Sequence, residues 1–159
     1  MGFFGTYLYD GEQWHDADPE TRPAGDSAWL HVDIHDSDFT TVTYHPAPAG
    51  AGIAYLGVTP RTYFENTAAS APTDVVREAA GLTAWWAARH PDAGHDDLIA
   101  KESALLTYLA QDVDPEDDDL DDGDDADVDH LDDAEIFVEV KTARFLTTLD
   151  LPLPAELDR

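Results

Sequence analysis

The segment His31-Val32-Asp33-Ile34-His35 has the residue types that metal chemistry needs. In an extended strand, side chains two apart project from one face, so His31, Asp33 and His35 share a side at about 7 Å intervals. Neutral imidazole and carboxylate are sound ligands for a divalent transition metal. His-x-Asp with a distant histidine is also the ligand pattern of non-haem iron oxygenases, and His45 ends the next strand-like run. One strand seldom wraps three consecutive same-face residues around a single ion, so a wetted sheet face with Trp29 as an anchor competes with the metal reading.

Two other acidic features invite chemistry. Aligning Gly123 with the glycine of an EF-hand loop puts Asp118 at position 1, Asp122 at position 5 and Asp129 at position 12. Position 3 is then Leu120, and position 12 lacks the bidentate glutamate, so the expected behaviour is weak divalent-cation association and no resident cofactor. Glu102 falls inside the apolar arc of a helix bearing Leu98, Leu105 and Leu109. A carboxylate placed there has to be paired, with Arg77 or Arg144 as partner, or protonated, or open to a pocket as a general base. Nucleophile motifs are missing: the chain has no cysteine, no Gly-x-Ser-x-Gly, no glycine-rich phosphate loop and no His-Glu-x-x-His.

The elements that would position these residues follow from periodicity. Phe4 to Tyr9 and Gln13 to His15 flank Asp10-Gly11, a hairpin-turn dipeptide. Residues 28–35 alternate strictly, with Leu30, Val32 and Ile34 on the face opposite the histidines. Asp36-Ser37-Asp38 predicts a turn into a strand over Phe39 to His45, and Ile53 to Thr59 predicts a further strand. Val75, Ala79, Leu82 and Trp86 make a helical stripe that His90-Pro91 ends. Trp85 then lies off the stripe, where it either stacks on Arg89 four residues later or stands out as an anchor for a partner. A second helix follows from Asp96. Alternation over Glu135 to Lys141 predicts a last strand, and Thr142 to Leu149 a short helix.

The expected architecture is a single α+β domain over residues 1–159. An antiparallel β-meander of about four to six strands is covered on one face by two main helices. A flexible acidic insertion, residues 112–133, precedes the last strand.

Charge sets the function class. Thirty-five acids against eight bases give a net charge of −27 in 159 residues, and residues 112–133 carry 14 of the acids and no base. The remaining residues still carry a net −13, so the acidity is both local and general. Such a field repels nucleic acid and anionic membranes and attracts basic proteins. Without cysteine or an apolar run of membrane-spanning length, a cytoplasmic location is expected. An acidic, host-adapted domain of no particular partner would share this composition.

In type, as a short, cysteine-free, strongly acidic domain with aromatics available for contact, the chain is similar to bacterial immunity proteins and other acidic antagonists of basic toxins. The likeness lies in composition, and no residue is carried over from it. The expected function is therefore a non-catalytic acidic protein that engages, and by covering inhibits, a basic protein partner. Asp117, Asp118, Asp119, Asp121, Asp122, Asp124 and Asp125 would steer the encounter, with Trp29, Tyr44 and Trp85 as the desolvated anchor. The rival is a small metal-dependent enzyme built on His31, Asp33 and His35 with Glu102 as base.

Overall fold

The computed structural model describes residues 4–18, 20, 28–47, 52–111 and 137–157. The acidic run 112–133, and with it the EF-hand alignment and the Asp117 to Asp125 carboxylates, lies outside the described residues. The described chain is α+β: an open five-stranded antiparallel sheet with four helices. The strands are β1 (Gly5–Tyr9), β2 (Trp14–Asp16), β3 (Trp29–His35), β4 (Phe39–His45) and β5 (Ile53–Leu56). The helices are α1 (Pro60–Tyr63), α2 (Val75–Arg89), α3 (His95–Leu106) and α4 (Val138–Thr148).

Each predicted turn closes through local chemistry. Between β1 and β2, Asp10 Oδ1 accepts the backbone N–H groups of Glu12 and Gln13, and Gly11 takes a φ of +103°. Between β3 and β4, Asp36 and Ser37 adopt φ values of +52° and +58°, and the Asp38 N–H bonds the His35 carbonyl.

The strand order is β2-β1-β3-β4-β5, which corrects the expected meander at one point. After the β1–β2 hairpin, β3 returns to pair with β1, placing Tyr7 opposite Val32 and Tyr9 opposite Leu30. The inward rows are mainly apolar, with Thr40 as a polar member: Leu30, Val32, Ile34, Val42 and Leu56 are all fully buried. They join Leu82 and Trp85 of α2, Leu105 of α3 and Phe145, Leu146 and Leu149 in one core.

The predicted last strand is a helix. Val138 and Val140 favour extended backbone locally. The larger effect is tertiary: Val138, Thr142, Phe145 and Leu149 repeat at helical spacing, and all four are buried. Thr142 Oγ1 accepts or donates a 2.7 Å bond with Thr40 of β4, so even the polar member of that stripe is satisfied inside. The start of α4 is fixed from the sheet, because the Val138 N–H donates to the Ser37 carbonyl.

Candidate binding surface

The three aromatics expected to anchor a partner are interior, and that expectation is corrected. Trp85 is 1% exposed; its indole N–H donates to the His45 carbonyl, and the Arg89 guanidinium lies 5.4 Å from its ring. Trp29 is buried against His45, the two rings stacked at 5.8 Å. Tyr44 is 2% exposed, with its hydroxyl turned to α2. The physical reason lies in α2, whose sheet-facing stripe runs through Glu78, Leu82, Trp85 and Arg89. A carboxylate at one end and a guanidinium at the other disguise that stripe. Glu78 is 3% exposed and carries Tyr44 on Oε1 (2.6 Å) and Arg77 on Oε2 (2.7 Å). Arg89 reaches the Gly11 carbonyl and the Tyr9 hydroxyl. A small cavity of about 40 Å³ adjoins the Glu78–Arg77 pair at the β5 edge, floored by Ile53, Val75 and Leu109.

The strand His31 to His35 does put its three polar side chains on one face, each with separate company. His31 is buried and bonds the Asp18 carbonyl through Nε2 at 2.9 Å. Asp33 accepts the Thr6 hydroxyl at 2.8 Å, and His35 packs among aromatic rings. Among the described residues, no group of three or more His, Cys, Asp or Glu side chains is placed to hold a metal. Glu102 lines an open groove between α2 and α3 with Thr83, Ala87, His95, Leu98 and Ile99. Arg77, one partner expected for it, belongs to Glu78 instead.

His35 leads to a surface that the sequence reading passed over. Its ring meets Phe4 at 5.2 Å, Phe39 at 5.0 Å, Tyr63 at 5.6 Å and Phe64 at 6.0 Å. Tyr63 and Phe64 arrive on α1, a single turn that Thr59 caps by accepting the Thr62 N–H, with Pro60 at the first helical position. That Thr-Pro pair was the available signal. Phe39 is buried beneath the cluster, while Phe4 and Phe64 remain 61% and 53% exposed. Of the three exposed phenylalanines among the described residues, these two share His35 as a neighbour. The third, Phe137, adjoins Val138, whose N–H is held by Ser37 two residues beyond His35.

Carboxylates frame the rings. Asp38 accepts a hydrogen bond from the Tyr63 hydroxyl; with burial acting first and the Asp38 and Asp36 charges adding to it, that phenol is raised above its ordinary value. Glu65 follows Phe64 in a left-handed conformation, φ +51°, and is exposed. Val138 packs beside Gly57 at this corner, whereas Leu109 bridges Leu56 and the Ala110 N–H bonds the Tyr55 carbonyl, so that residues 109–111 run along β5 away from it.

No helix among the described residues is long and apolar enough to cross a membrane. Comparisons with protein-family models, curated proteins and solved structures give no match for this chain.

Proposed function

We propose that this is a non-catalytic acidic binding protein that engages, and by covering inhibits, a basic protein partner. The partner class is a nuclease or another nucleic-acid-binding protein whose phosphate site carboxylates can occupy. One observation supports the reading: exposed Phe4 and Phe64 converge on His35 beside Asp36, Asp38 and Glu65. Charge and desolvation would divide the work here. Screened surface charge speeds encounter more than it holds a complex together, whereas aromatic side chains are enriched among the contacts that do hold. The sequence would add the charge component, since residues 112–133 hold 14 acids and no lysine or arginine. Two main helices covering one sheet face would leave this surface clear.

The test is affinity capture with three proteins: the intact chain, a chain lacking residues 117–133, and a Phe4→Ser/Phe64→Ser variant. Each is run at low and moderate salt. The expected result is one basic protein recovered stoichiometrically by the intact chain. The deletion should slow its association at low salt, and the double variant should shorten the lifetime of the complex. A smear of basic proteins held equally by all three would end the proposal.

A further inference from the structure

From the chemistry around His35, we infer that the group this surface recognises is an arginine guanidinium, stacked on the exposed phenylalanine rings and hydrogen-bonded to the neighbouring carboxylates. This rests on the binding function proposed above and names the side chain that the partner must present.

The argument begins with what the rings leave open. Phe64 meets Tyr63 and Phe39 at interplanar angles of 83°, and Phe4 meets His35 at 80°. These edge-to-face contacts hold the two rings in place while more than half of each stays in solvent. A fixed, half-exposed ring beside negative charge favours a cation over a neutral apolar group. Lysine and arginine are both cations, but they differ in hydration. An ammonium is compact and strongly hydrated, and gives up little water for a ring face. A guanidinium is planar and weakly hydrated, stacks on aromatics, and keeps its edge donors for carboxylates. Exposed ion pairs alone contribute too little to select between the two, so the stacking component decides.

The protein already uses this pairing internally. Arg89 lies 5.2 Å from the Tyr9 ring and 5.4 Å from the Trp85 ring while its edge donates to the Tyr9 hydroxyl and the Gly11 carbonyl. At the surface, Phe64 and Phe4 offer the ring, and Asp38 and Glu65 the acceptors. Asp38 sits in the β3–β4 turn, held there by its N–H bond to the His35 carbonyl, and Glu65 directly follows Phe64.

The full-length chain would be titrated with two blocked pentapeptides, Gly-Arg-Gly-Arg-Gly and Gly-Lys-Gly-Lys-Gly, while side-chain resonances of Phe4, His35 and Phe64 are followed by NMR. The expected result is saturable shifts at these three residues, with the arginine peptide binding about 2- to 5-fold tighter, the size of one exposed cation–π contact. Phe64→Ser should abolish the difference, and Glu65→Gln should weaken the arginine peptide more than the lysine one. Equal affinities at the cluster would overturn the arginine assignment and leave the wider binding proposal standing. Absence of shifts at the cluster with either peptide would overturn both.

Discussion

The hydroxyl of Tyr44, on β4, donates a 2.6 Å hydrogen bond to Oε1 of Glu78, on α2, and both residues are buried. With the Trp85 bond to His45 and the Arg89 bond to Tyr9, it is one of three places where the sheet and its longest helix exchange polar partners. Burial first, then the Glu78 hydrogen bond and charge, raise the Tyr44 phenol far above its ordinary value. Replacing Tyr44 by phenylalanine leaves one oxygen of a buried carboxylate without its donor. We expect a loss of about 1–3 kcal/mol. Denaturant unfolding of Tyr44→Phe beside Tyr44→Phe/Glu78→Gln measures it, and the double variant should recover part of the loss because the charge has gone. Equal stability of Tyr44→Phe and the parent would mean that the bond contributes nothing.

Asp10 gives a pH prediction of known sign. Backbone N–H bonds from Gln13 and Glu12, with the His15 side chain, lower its carboxyl from 3.8 to about 2. A lowered folded-state value means the ionised form is favoured by folding. The turn's contribution is therefore complete above 3.8 and is lost as pH falls towards about 2. The carboxyl carbon of Asp10 should titrate with a midpoint near 2. A midpoint near 3.8 would show that the turn does not form as described.

Gly57 ends β5 with φ +86°, and a Cβ there would collide with the Asp38 carbonyl and lie 3.0 Å from Val138 Cγ2. Both the backbone conformation and the space exclude a side chain. Gly57→Ala should cost roughly 2 kcal/mol or more. Because the displaced groups are Asp38 and Val138, the NMR signals of Tyr63 and Phe64 should move as well. A variant of parental melting temperature would contradict this packing.

Local periodicity made much of the sheet readable. Strict alternation over residues 28–35 and the Asp10-Gly11 and Asp36-Ser37-Asp38 turns foretold four strands and the two hairpins that join them, because each depends on neighbours in sequence. The pairing of β3 with β1 rather than β2 depends on a partner about 25 residues away, which alternation does not specify. In α4, β-branched Val138 and Val140 imitate a strand, and only burial by other elements shows the helical stripe. The aromatic corner was hidden differently. Its rings are contributed by residue 4, the β3–β4 hairpin and one turn of helix at 60–63, so no single window contains it. Glu78, Leu82, Trp85 and Arg89 share the sheet-facing side of α2, but the charged residues at its two ends leave the apolar pattern to Val75, Ala79, Leu82 and Trp86, so Trp85 reads as lying off the buried stripe.

The pairing of Leu109 with Leu56, and the bond from the Val138 N–H to the Ser37 carbonyl, also decide how the chain is held together. The segment that ends at residue 111 and the segment that begins at residue 137 are each fastened to the sheet by their own contacts, and Phe145, Leu146 and Leu149 then share the core of Leu30, Val32 and Leu82. Cutting the backbone between them would therefore leave two pieces that noncovalent packing still holds to one sheet, much as a seam sewn on both sides survives the loss of the thread between.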